Sequence, residues 1–429
     1  MKKNRLIPAI VWALIPALFI FLTLNRHSRT GILNYHSEIF ADKAGYYVYL
    51  PATFIYHFNV SSFPDSIADK TGNGFSLDTV NNIIRTKYPY GVALLQTPFF
   101  LSAHWLAKPL GFENNGFSLP YNRSVDIAGV FYFLAGLYFL WRFLTKYHSK
   151  RLSFFTLFFT ITATNLYYYA IDETGMSHIY SFAIFSALLW MFEIFDIKKT
   201  VHILNITVLI ALLFTVRPIN IIFILGLASI KIKYIIEIIQ KGFRQIHTTY
   251  TILAVIPAIL IVAAQFTYWK YISGSLFPNP YPGESFTFAA SPQLFKIWFS
   301  TNNGLFIYTP AWFLIISGML VMIFSKNYRG WIYLGFFLFL SYVLSSWWNW
   351  WLGCSFGHRG YVEYLTVFVI PAVFLWNKLS GNRLLQFLII TLLVIFSIYN
   401  LQLTYVWDGC WYGNTWDFRM LWNKFLSAF

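Results

Sequence analysis

The sequence predicts an all-α fold, a polytopic transmembrane bundle of about eleven spans with interfacial helices in a long first outer loop. Three observations predict it. Hydrophobic residues make up 58% and charged residues 11% of the 429, far from the balance of a soluble domain. Apolar segments approaching the roughly 20 helical residues that cross a bilayer recur along the whole chain. Between them, Lys and Arg gather in six short clusters: Met1–Arg5, Lys146–Arg151, Lys198–Lys199, Lys231–Arg244, Lys326–Arg329 and Lys378–Arg383. Short basic loops stay on the cytoplasmic side, so the alternate loops face outward.

The elements follow in order. Lys2, Lys3 and Arg5 precede an apolar run to Leu24 that is long enough to span, and no small-residue cleavage site follows. It reads as a retained first helix, not a signal peptide. Apolar segments run over 6–24, 124–144, 152–170, 178–195, 200–215, 218–232, 250–271, 304–324, 330–346, 361–376 and 383–401. The pair around Arg217–Pro218 reads as two short helices or one broken one. Residues 91–107 are apolar enough to span, but crossing there would turn the five later basic clusters, with 13 Lys and Arg, outward. The charge rule argues against that. We therefore place 91–107, together with the Tyr-rich 44–58, as interfacial helices. The chain is then one domain, 1–429, with an outer loop over 25–123, the N-terminus cytoplasmic and the C-terminus outside.

A net charge of +15 raises the question of nucleic acid, but 16 of the 31 Lys and Arg lie in the six clusters and no soluble domain is evident. Cys354 and Cys410 make no disulfide framework; one bridge or two free thiols fit equally. No internal repeat supports an inverted-repeat transporter.

Candidate site residues concentrate in the outer loops. Asp42 opens the first interfacial helix, where a carboxylate is electrostatically favoured; it reads as an N-cap or a reactive acid, and Glu38 offers a second carboxylate. Arg85 and Lys87, before the second interfacial helix, suit a phosphate or a lipid headgroup. Asp172 and Glu173, in a short loop that ends at His178, are costly near lipid unless paired, with Lys87 or Arg359 as expected partners. Arg217 has forked donors that match phosphate oxygens. The stretch Trp347–Glu363 holds four Trp in five residues, then Gly353, Gly357, His358, Arg359, Gly360 and Glu363. Aromatic faces such as Trp351 pack on sugar rings, and glycines let backbone approach a ligand. No His, Cys or acid spacing makes a zinc site, and no phosphate loop or nucleophile elbow is present.

Taken together, these motifs resemble the GT-C superfamily of polytopic glycosyltransferases, and especially the protein O-mannosyltransferases and the bacterial aminoarabinose transferase. The likeness rests on Asp42 followed by Tyr46 and Tyr47, on Lys87, Pro89 and Gly91, on Asp172, and on Ser355, Phe356, Gly357, Arg359 and Glu363. The family's usual Asp-Glu pair reads Asp42-Lys43 here. The resemblance implies transfer of a sugar from a polyprenyl-phosphate-linked donor to an acceptor hydroxyl, with inversion, outside a bacterial inner membrane. It implies Asp42 as general base and Lys87, Arg217 and Arg359 on the donor phosphate. Tyr46, Tyr47, Asp172, Glu173, His178, Trp351 and Glu363 would contact substrate. A lipid or glycan acceptor fits better than a protein, because no large soluble C-terminal domain is seen. No cofactor or nucleic acid is expected; the resemblance leaves a divalent metal open, since members of the family differ, and no cage for one stands out in the sequence. The alternative is a transporter or flippase, or a polymerase of lipid-linked glycans.

Overall fold

The computed structural model describes residues 6–232, 236, 240, 248–279, 281, 283–408 and 416–427, and only the backbone of 6–13, 248 and 249. Met1–Arg5, most of Lys231–Arg244 and Cys410 lie outside the described residues. Cys354 is disulfide-bonded.

Helix α1 (Leu6–His27) leads into a loop and two short helices, α2 (Asp42–Tyr47) and α3 (Tyr49–Phe54). A four-residue helix, α4 (Ile67–Lys70), precedes a hairpin of β1 (Ser76–Asp78) and β2 (Ile83–Arg85), antiparallel with Leu77 opposite Ile84. Then come α5 (Gly91–Ala107), α6 (Leu119–Tyr147), α7 (Lys150–Thr162), α8 (Leu166–Ile171), α9 (Ser177–Ile194), α10 (Thr200–Val216) and α11 (Ile221–Ile230). The longer helices after these are Thr248–Ser273, Trp312–Phe324, Arg329–Ser346, Leu365–Lys378 and Arg383–Val406, with a terminal Phe418–Leu426.

The fold is mostly helical, as expected, with two corrections. The hairpin makes it not purely α: Asp78 accepts from the Asn81 amide at 3.0 Å, and Asn82 takes a left-handed φ of 52° that Asn tolerates in a turn. The second correction is the number of spans. Among the described residues four helices are long and apolar enough to cross a membrane, not eleven: Leu119–Tyr147, Ser177–Ile194, Tyr250–Ser273 and Arg383–Val406. Several expected spans are shorter because the helix breaks. Segment 152–170 divides between α7 and α8, 304–324 divides before Trp312, and α10 and α11 are separated by a turn at Pro218–Asn220. Only 11% of the apolar window of Arg383–Val406 and 17% of that of Tyr250–Ser273 is buried. An apolar surface so bare of protein marks a face for a membrane or a protein partner.

Helix α5 spans the residues expected, 91–107, and is not among the four. The Tyr47 hydroxyl donates to the Gly116 carbonyl beyond its C-terminal end, and the Tyr49 hydroxyl to the Tyr88 carbonyl before its start. Both flanks of α5 thus return to one short stretch of chain. The segment 44–58 is two helices, not one, and most of it is buried instead of lying on a surface.

Two hydrophobic cores result. The larger gathers α6, α8, α9 and the later helices, with Trp312 against Phe337, Tyr361 and Phe368. Its closest contact needs Gly318, where a Cβ would fall 2.1 Å from the Pro371 carbonyl oxygen. The smaller core joins α2, α3 and α5 to Tyr268 and Trp269. Helix α2 lies between them: Tyr46 belongs to the larger core and Tyr47 to the smaller.

Candidate functional site

The site begins at α2. Ala41 holds a φ of 48°, a conformation an L-residue rarely adopts, and its N–H donates to the Thr71 carbonyl at 2.8 Å. Asp42 follows as the first helical residue, and the N-cap position is Ala41, so Asp42 does not cap. Instead its Oδ1 accepts from the Tyr88 hydroxyl at 2.5 Å and its Oδ2 from Arg359 Nη2 at 3.2 Å. Gly45 makes room for this, because a Cβ there would lie 2.2 Å from the Tyr88 ring. The Asp42 side chain is 33% exposed. Burial works to raise its pKa, but the Arg359 guanidinium and the Tyr88 hydroxyl outweigh it and hold the carboxyl below the usual range. Each carboxylate oxygen keeps a further lone pair for an incoming hydroxyl.

Around Asp42 the sequence candidates divide. Tyr46 packs on Tyr88 at 4.6 Å between ring centroids and donates to Ser177 Oγ at 3.0 Å. Arg217 meets Glu363 Oε1 at 2.7 Å, and His178 Nδ1 meets Glu363 Oε2 at 2.9 Å. Glu363 is sealed while Arg217 is 19% exposed, so the acid holds the guanidinium toward the open side. Arg217 also acts electrostatically on Tyr46 and on Arg359, the partner of Asp42. Lys87 pairs with Glu284 at 2.7 Å and stands over the Tyr281 ring at 5.2 Å. The Trp348 indole donates to the other Glu284 oxygen at 3.2 Å.

The other candidates take partners of their own. Tyr47 points into the smaller core, away from Asp42, against Phe100 and Phe117. Asp172 pairs with Arg26 at 2.7 Å and Glu173 with Lys43 at 3.3 Å, not with Lys87 or Arg359. Both acids thereby pin α1 and α2 to the start of α9. Trp351 packs on Trp350 at 5.3 Å, and its carbonyl accepts from Asn303. Gly360 backs onto Leu344 and Gly357 onto Tyr308.

Tyr88, Tyr281 and Glu284 join the site although none is among the sequence candidates. The signal for Tyr88 is its place beside Lys87. Glu284 is the only Asp or Glu between Glu237 and Glu363, and such isolation in an apolar chain is itself a signal.

Comparisons of the chain with protein-family models, curated proteins and solved structures return no match.

What the geometry offers is a carboxylate open on one side, two guanidinium groups and an ammonium nearby, and tyrosine rings between them. Such a set suits an anionic group attached to a polar, hydroxylated body.

Proposed function

We propose that the protein is an integral membrane glycosyltransferase that moves a sugar from a polyprenyl-phosphate-type donor to an acceptor hydroxyl, with inversion, on the non-cytoplasmic face. The observation that carries this reading is the union of Asp42 with Tyr88 and with Arg359, 317 residues away. The four apolar helices, two of them largely bare of protein, support the membrane setting.

In the proposed step the acceptor oxygen attacks the anomeric carbon and its proton passes to Asp42. The bond from that carbon to the phosphate oxygen breaks, and the electron pair leaves with the phosphate. Arg359, Arg217 and Lys87 face the charge that grows there, and preorganised donors of this kind stabilise it without reorganising. Glu363 and His178 position Arg217. Asp42 is a weak base in this setting, which suits a reaction where most of the barrier is bond breaking to the phosphate.

Two measurements test the reading. Mass spectrometry of lipid-linked sugars in cells that lack the protein should find one donor accumulated. The purified chain in lipid should transfer that sugar to a hydroxylated acceptor. Absence of both results would favour a carrier of lipid-linked glycans.

A further inference from the structure

A second polar cluster lies behind the loop that leads to Asp42, and the transfer step does not use it. His27 ends α1, Glu38 lies four residues before Asp42, and Asp126 sits two turns into α6. The side chains of all three are 1% exposed. His27 Nδ1 stands 3.7 Å from Glu38 Oε1, and His27 Nε2 stands 3.5 Å from Asp126 Oδ1. Neither contact is a hydrogen bond. Both ring nitrogens and Glu38 Oε2 are buried without a hydrogen-bond partner, a costly state for polar atoms. One donor atom from each residue falls within 4.8 Å of the others.

The charges around the cluster do not balance. Arg123 Nη1 lies 2.5 Å from Glu38 Oε1 and 3.2 Å from Asp126 Oδ2, so one guanidinium serves two buried carboxylates. The other nearby cations are taken, Lys43 by Glu173 and Arg26 by Asp172. A buried carboxylate without a counter-charge is strongly disfavoured. Either a proton or a cation must complete the set; a neutral imidazole has one nitrogen with a free lone pair, which a proton shared between the carboxylates leaves unused.

We propose that His27, Glu38 and Asp126 bind one divalent transition-metal ion through an imidazole nitrogen and two carboxylate oxygens. Mixed nitrogen and oxygen donors favour a first-row ion such as Zn²⁺ or Mn²⁺ over Ca²⁺. Donors at about 2.1 Å from a tetrahedral ion stand roughly 3.4 Å apart, close to the 3.5 Å between His27 Nε2 and Asp126 Oδ1. Thr174 Oγ1, which donates to Asp126 Oδ1 at 3.0 Å, orients that ligand from outside. The ion ties the end of α1, the loop and α6 into one support for Asp42. The site does not rest on the transferase reading: a carrier with these residues would bind the ion as well.

The test uses the full chain purified in detergent, stripped with a chelator and titrated with Zn²⁺ alone and then Mn²⁺ alone. Bound metal is measured by equilibrium dialysis and elemental analysis. One ion per chain is expected, with affinity at least about tenfold weaker in His27→Ala and in Glu38→Gln, since even outer-shell losses cost that much. His104→Ala is the control, because that ring is occupied by Tyr121 in α6 and its loss should leave binding unchanged. Absorption spectroscopy at the metal edge should find one imidazole among oxygen donors. If His27→Ala reduces the yield of folded protein, Glu38→Gln, which keeps the shape, carries the comparison. No stoichiometric binding by the wild type, or equal affinity in wild type and Glu38→Gln, overturns the proposal and leaves a shared proton to balance the cluster.

Discussion

Asp42 and Glu38 are carboxylates four residues apart where a loop enters α2, each bound to an arginine, and their surroundings give them opposite character. Asp42 is 33% exposed and both of its oxygens have partners. Glu38 is 1% exposed and one of its oxygens has none. A satisfied group open to solvent exchanges partners with a ligand at little cost. A sealed group in an unbalanced cluster is committed to holding charge and backbone in place. The difference teaches that role follows from dielectric and partners, not from residue type or loop position.

The sharpest way to break the comparison is to neutralise each acid in turn. Asp42→Asn keeps the size and should lower turnover by about 10²–10⁴ while the protein still folds. Glu38→Gln should instead lower the melting temperature, by the equivalent of about 1–3 kcal/mol, because Arg123 loses its nearer counter-charge. An inactive Glu38→Gln beside an active Asp42→Asn would reverse the assignment. Arg359→Lys comes next: it keeps the charge but loses the fork. Donor affinity should fall by roughly tenfold or more, as for loss of a charge-assisted bond worth about 1.5–3 kcal/mol; unchanged donor binding would return Arg359 to the role of holding Asp42.

The pH profile sharpens the same contrast. Asp42's carboxyl is held below the ordinary range by Arg359 and Tyr88 against the effect of burial. Its charged form therefore persists as pH falls, and the acid limb of activity should lie below the ordinary Asp range. Tyr88→Phe removes one stabilising donor and should move that limb upward. A limb that stays put would show that another group controls it. The smallest effect concerns Lys87, whose pair with Glu284 is 38% and 22% exposed. Lys87→Ala should change stability by about 1 kcal/mol or less, while donor affinity falls severalfold in a titration. Equal donor affinity would place Lys87 outside the binding set.

Local features are legible in the amino-acid string. Helix α5 has the bounds that its apolar run and flanking Pro and Gly indicate, Asp42 begins a helix, and the chain breaks at Arg217–Pro218 into two helices. The demand of Arg217 for a partner is legible too, since a guanidinium at that depth does not stay alone. Span counting fails where single apolar runs contain a break, as at Ala163–Asn165 between α7 and α8, because composition averages over a kink that backbone geometry does not. Tyr46 and Tyr47 look alike in a string, although adjacent positions on a helix face about 100° apart, and only Tyr46 turns toward Asp42.

From composition, periodicity and charge pattern the chain alone determines a mostly helical fold with long apolar helices, and the segments in which its acids and arginines collect. These are short-range properties, set by the neighbours within a turn or two of helix. Only the tertiary structure decides which charge meets which: Asp42 with Arg359, Glu363 with Arg217 across 146 residues, and Asp172 with Arg26, also across 146. It likewise brings His27, Glu38 and Asp126 together from α1, a loop and α6. Every arginine is an equal candidate for every acid along a sequence. The choice is made by burial, because an ion pair in a low dielectric is stable only where packing holds both partners within bonding distance.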